Sequence, residues 1–231
     1  ETYPSNERMN TLMNHEMVHI MAFDKTATSD RFFRHLFLGK THETDSHPES
    51  ILYSYLTVPR RAAPRWYHEG LAVFVETWMA GGVGRAQGSF DEMVFRSMVR
   101  DGTDFYDPVG LLSEGARSDF QIDALSYMYG TRFMSYLTYQ YAPEDLLQWV
   151  TREDGTRGSY AGQFKKVYGK PISQAWDEWI AWETQFQKSN LAAIQEHPIT
   201  PFRNLSDKAL GSVSRAYLDE QRQRIYVGVN Y

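Results

Sequence analysis

"MNHEMVHIMAF", residues 13–23, holds His15 and His19 four positions apart, with Glu16 directly after the first. On an α-helix, side chains at i and i+4 leave nearly the same face, so the two imidazoles can meet one cation. Glu16 stands about 100° round the helix from His15, beside the pair rather than behind it. A carboxylate there suits a base that does not bind the metal but takes a proton from a metal-activated water. The spacing of Met9, Leu12, Met13, His15, Met17, Val18, His19 and Ile20 predicts a helix over about 5–22, with Ser5 or Asn6 as its cap. A chance HExxH arises in about one chain in a hundred of this size, so the motif asks for a third ligand.

Two stretches can supply one. In "KTHETDSHPES", residues 40–50, His42, Glu43, Asp45 and His47 are rich in donors, but their Thr, Ser and Pro neighbours read as a solvated loop. "RWYHEGLAVFVETWMA", residues 65–80, reads instead as a helix stopped by Gly81 and Gly82. Its Glu69 lies among Trp66, Leu71, Val73, Phe74 and Val75, where a carboxylate is costly to bury unless paired or bound to a cation. Gly70 leaves room for another helix to approach closely. Glu76 falls on the same face as Glu69 and reads either as a surface acid or as a carboxylate orienting a histidine.

Further helices are expected over about 89–100, 120–141, 143–151, 159–168 and 173–188, the last capped by Ser173 with Trp176, Trp179, Ile180 and Glu183 at three-and-four spacing. "PRRAAP", residues 59–64, reads as a break. Beyond Pro198–Pro201 the pattern changes to the alternation of "GSVSRAYLDEQRQRIYVGVNY", residues 211–231, which predicts a hairpin. The expected fold is mainly α, with a helical domain over 1–190, a linker over 191–205 and the start of a β domain over 206–231.

Composition narrows the function classes. In 231 residues, 24 Lys and Arg against 29 Asp and Glu give a net charge of -5 with no basic stripe, which argues against nucleic acid as a partner. With no cysteine, disulfides and thiolate metal sites are excluded. No apolar run approaches the roughly 20 residues of a membrane span, and residues 1–20 lack a signal pattern, so export would require a leader removed or upstream of Glu1.

"HEMVH" followed by "PRWYHEGLAVFVE" resembles the gluzincin metallopeptidases, which include aminopeptidase N-like and thermolysin-like enzymes, and most closely bacterial proteins whose second motif reads W-x-x-E-G-x-A. The resemblance implies that His15, His19 and Glu69 bind Zn2+ and that Glu16 is the general base. A tyrosine in a Y-x-x-G pattern stabilises the transition state in aminopeptidase-like members. In "YMYGTRFMSYL" Tyr127 matches that position, with Tyr129 as a neighbour that could serve instead. The implied function is a zinc-dependent peptidase acting on a peptide or protein, exported to the periplasm or cell envelope.

Two departures qualify the match. Between His19 and Glu69 lie 49 residues, more than in aminopeptidase-like enzymes, so residues 24–64 read as an insertion beside the cleft. The motif also stands too near residue 1 for the sheet that precedes it in gluzincins, so the chain is expected to be a piece of a longer polypeptide. Its tail resembles the opening blade of a β-propeller. Two other functions remain open: a non-catalytic zinc-bound module in envelope assembly or protein binding, and a zinc hydrolase of a non-peptide substrate.

Overall fold

The computed structural model describes residues 9–79, 81–82, 84–109, 111, 120–205 and 212–230. These are mainly helical. The helices are α1 (Met9–Asp24), α2 (Thr28–Leu36), α3 (Ser50–Thr57), α4 (Arg65–Met79), α5 (Ser89–Asp101), α6 (Phe120–Gln140), α7 (Pro143–Val150), α8 (Tyr160–Tyr168) and α9 (Ile172–Gln195). Two strands, β1 (Ser212–Asp219) and β2 (Arg224–Asn230), follow. The chain divides into two units, Glu1–Ala192 and Ala193–Tyr231.

In the first unit α4 is the central element, packed against both α1 and α6. Its sequence explains the second contact. A Cβ added to Gly70 would come within 2.4 Å of the Gly130 carbonyl carbon, and one added to Gly130 within 2.0 Å of the Trp66 carbonyl oxygen. Only a glycine in each helix lets the two backbones touch. Around this crossing lies an aromatic core: Trp66 of α4, Tyr129 and Phe133 of α6, and Trp176 and Trp179 of α9 are all essentially buried. Ring centres of 4.7 Å for Phe133–Trp176 and 4.9 Å for Trp66–Trp176 fall in the range of favourable aromatic pairs. The Trp176 and Trp179 spacing read from the sequence is thus the inner face of α9.

Helix ends follow local chemistry. The Ser159 hydroxyl accepts the Gly162 N–H at the start of α8, and Gly169 closes that helix at φ 72°. After α4, Gly82 N–H returns to the Thr77 carbonyl at 2.9 Å with φ 84°, a conformation glycine adopts without strain. The cap expected at Ser173 is displaced. Helix α9 begins at Ile172, and the Ala175 N–H donates to the Pro171 carbonyl, so Pro171 takes the cap position and Ser173 lies inside the first turn. The proposed caps Ser5 and Asn6 lie outside the described residues.

Residues 24–64 hold more helix than their composition suggests. His42 to Glu49 form a loop, but α2 and α3 flank it, and Pro59–Ala62 form a 3-10 turn. Neither helix has a side-chain hydrogen bond capping its start. Tertiary contacts hold them: Asp30 of α2 accepts two hydrogen bonds from Arg152, at 2.7 and 2.6 Å, and both side chains are buried. Arg34 reaches the Thr57 carbonyl at 2.7 Å and that of Phe23 at 2.8 Å.

In the second unit β1 and β2 pair antiparallel from Ser212↔Asn230 to Asp219↔Arg224, with an irregularity between Val213 and Ala216. Asp219 accepts the Arg222 N–H at 2.9 Å and pairs with its guanidinium across the turn.

Candidate metal centre

Helix α1 turns two faces in different directions. His15, Val18 and, in part, His19 face the protein, while Leu12, Met13, Glu16, Met17, Ile20 and Met21 are exposed. The inward face meets α4, and three atoms converge there. His15 Nε2 and His19 Nε2 lie 3.2 Å apart, and Glu69 Oε2 is 3.3 Å from each. A tetrahedral zinc with bonds of about 2.0–2.1 Å separates its ligands by roughly 3.3–3.4 Å, the geometric edge of that tetrahedron. The donor set and its spacing therefore fit the ion. Among the described residues these three form the group of histidines and carboxylates close enough to hold a metal.

The back of the site is buried. Glu76, one turn and three residues beyond Glu69, is 2% exposed, and its Oε2 accepts from His15 Nδ1 at 2.7 Å. That bond turns the Nδ1 proton toward Glu76, so that in the neutral ring the lone pair is on Nε2, facing His19 and Glu69. Of the two readings of Glu76, the surface one fails, since the side chain is buried against the histidine. The front is more open: the side chains of Glu69 and His19 keep 16% and 20% of their exposure.

Charge follows from this packing. Burial works against a charged His15, but hydrogen bonds and attraction from Glu69 and Glu76 prevail and raise its pKa to about 9. Burial likewise opposes the charge on Glu69, and the bonds and charges of His15 and His19 hold it well below the usual carboxylate range. Next to it, His68 is lowered to about 4, by burial first and by His19 second.

Tyr127 stands beside the triangle, its ring stacked on that of His15 with centres 6.1 Å apart. The Gly70–Gly130 contact is what brings it there, because Tyr127 is nearly one turn before Gly130 on α6. Tyr129 is placed elsewhere. It is fully buried among Phe95, Trp176 and Trp179, and its hydroxyl accepts the Tyr106 N–H at 3.3 Å. Glu16 is exposed.

The loop donors do not join the site. Glu43 accepts from Ser54 and pairs with Arg61, and His47 faces Glu49. Two residues that sequence reasoning passed over do join it. Arg65 Nε is 3.6 Å from Glu69 Oε1, and Arg85 Nε is 3.6 Å from Glu76 Oε1. The first was readable as an i,i+4 pair. Arg85 had no such signal, since it follows the chain's reversal after α4. Comparison with protein-family models, curated proteins and solved structures finds no match to this chain.

Proposed function

We propose that this chain is a zinc-dependent metallopeptidase of the gluzincin type, hydrolysing peptide bonds in a peptide or protein substrate. The observation that carries the reading is the triangle of His15 Nε2, His19 Nε2 and Glu69 Oε2, with sides of 3.2, 3.3 and 3.3 Å. Three protein ligands from two helices are the catalytic pattern, whereas a structural zinc is usually closed by four. This favours a hydrolase over a non-catalytic zinc clamp. The exported location is part of the same proposal, resting on the resemblance alone.

When bound, the zinc would act as a Lewis acid and make a water molecule nucleophilic near neutral pH. The chain's own groups do the rest. Glu76 holds the Nδ1 proton of His15, fixing the ring so that Nε2 serves as ligand. Glu16 takes the proton of the attacking water and passes it to the leaving amine, work its exposed carboxylate can do without entering the ligand set. Tyr127, beside His15, donates to the oxyanion as it develops.

The test is metal analysis together with cleavage of a peptide library by the wild type, Glu16→Gln and Glu69→Ala. Expected are one zinc per chain in the wild type and Glu16→Gln, hydrolysis in the wild type only, and loss of zinc in Glu69→Ala. A wild type that binds zinc yet cleaves no peptide ends the peptidase reading, and turnover of esters instead would point to a non-peptide substrate.

A further inference from the structure

The stretch "PRRAAP" buries a cation that hydrolysis as described above does not use. Arg60, in the Pro59–Ala62 turn, is 2% exposed. Its Nη2 donates to the Arg157 carbonyl oxygen at 3.3 Å. Its Nε and Nη1 are shut off from solvent and have no hydrogen-bond partner among the described residues.

The acid whose charge acts on Arg60 is Asp30, and it is already engaged. Arg152 donates to both of its oxygens, at 2.7 and 2.6 Å, and the Ala27 N–H and the Ser29 hydroxyl add bonds of 2.9 and 3.2 Å. Arg60, Arg152 and Asp30 are all buried, so two guanidinium groups stand here against one carboxylate. The loop that faces Arg60 is held in place. Arg152 donates to the Thr156 carbonyl and hydroxyl at 2.8 and 3.0 Å, and the Arg157 N–H donates to Gln163 Oε1 at 2.8 Å. At Gly158 an added Cβ would come within 2.8 Å of the Tyr55 hydroxyl and 3.5 Å of the Pro59 Cβ, so the loop lies close on α3 and the turn. Tyr67 is a further neighbour whose hydroxyl keeps its proton, since burial pushes its pKa up to about 12.

A buried histidine or lysine can escape its charge by losing a proton, but a guanidinium keeps it. Burying a charge is costly unless an opposite charge is paired with it. Water can meet an unmet N–H group, yet it brings no counter-charge.

We propose that Arg60 holds a small monovalent anion of the halide class in the interior, between the Pro59–Ala62 turn and the loop over residues 151–158. One negative charge completes the balance of two guanidinium groups against Asp30. Chloride is the expected occupant, because an enclosed site favours an ion that gives up its water more readily than fluoride or sulfate does. Such an ion ties the turn before α4 to the loop after α7. This goes beyond the peptidase reading and does not depend on it.

The experiment is thermal unfolding of the full chain at fixed ionic strength, with sodium gluconate exchanged for sodium chloride up to about 0.1 M. Tm should rise by about 5 °C, the shift expected of a ligand present at roughly a hundred times its Kd. Bromide should act as chloride does, and fluoride should not. In Arg60→Met, which keeps an apolar stem and removes the charge, the chloride shift should vanish. Crystals of the wild type grown in bromide give a readout that needs no variant: an anomalous peak is expected at the Arg60 guanidinium. Equal Tm in gluconate and chloride, a shift that survives in Arg60→Met, or bromide peaks on the surface alone, meaning an adventitious ion only, each overturns the site.

Discussion

Gly130 of α6 sits directly on Gly70 of α4: a Cβ built on Gly130 would lie 2.8 Å from the Gly70 Cα and 2.0 Å from the Trp66 carbonyl oxygen. One glycine belongs to the stretch that carries Glu69, the other to the stretch that carries Tyr127. The crossing therefore sets how far Tyr127 stands from His15. Gly130→Ala should push α6 away, at a cost of about 3 kcal/mol or more, since backbone atoms cannot rotate aside as a side chain can. Chemical denaturation checks the loss, and a Gly130→Ala protein as stable as the wild type would contradict the contact.

Glu76 is placed to act through His15 on a metal held at Nε2. Replacing it with Gln keeps the shape but removes the charge that fixes the Nδ1 proton, and zinc affinity should fall by roughly 10–100-fold while Glu16 and Tyr127 stay in place. Competition with a chelator measures this. A change under twofold would mean that the 2.7 Å bond does not orient the ligand.

To occupy the site, zinc would have to displace a proton from His15. Neutral imidazoles alone would let metal binding weaken only below about pH 6, but the carboxylates around His15 raise its pKa to about 9 in the metal-free protein. The proton is bound below about 9 and absent above it. Zinc uptake at pH 7.5 should therefore release about one proton, and affinity should rise about tenfold per pH unit up to about 9. Titration in buffers of different ionisation enthalpy counts the protons, and no release at pH 7.5 would refute the coupling.

Tyr127→Phe removes the hydroxyl and leaves the ring against His15. If Tyr127 donates to the oxyanion, kcat should fall by about 10²–10³ with zinc content unchanged. An unaltered kcat would reduce Tyr127 to a packing residue.

Asp91 gives a second pH signature. Burial raises its pKa to about 6, against the attraction of Arg85 and Arg132. Its folded pKa thus exceeds the unfolded value of 3.8, so its contribution to stability is full below about 3.8 and lost as pH rises through about 6. Asp91→Asn should be more stable than the wild type at pH 7, by about 1–2 kcal/mol, and no more stable at pH 4. Thermal unfolding at the two pH values decides it.

Most of the helical content was legible in the sequence, because α1, α4, α6 and α9 are long enough for apolar spacing to show. The candidate ligands were legible too. His15 and His19 are related by helical geometry alone, and Glu69 stands out as an acid among apolar neighbours. Short α2 and α3 were not: the equally short α7 and α8 carry start signals in Pro143 and Ser159, whereas α2 and α3 have no side-chain cap bond and depend on contacts such as Asp30–Arg152. The hairpin of β1 and β2 was readable from alternation around a polar turn, though not the irregularity between Val213 and Ala216.

What the sequence by itself determined is what local spacing encodes: which residues share a helix face, and which buried acids need a cation or a partner. Only the tertiary structure decided what depends on two helices meeting. It turned Glu76 inward onto His15 Nδ1, took Tyr129 into the core, stacked Tyr127 on His15 and brought Arg65 and Arg85 onto its ring. The physical reason is that nothing in the spacing of one helix tells how closely another will approach: the bare backbones at Gly70 and Gly130 set the approach of α6, which carries Tyr127 and Tyr129, and the packing of α1 on α4 sets Glu69 and Glu76 against the histidines.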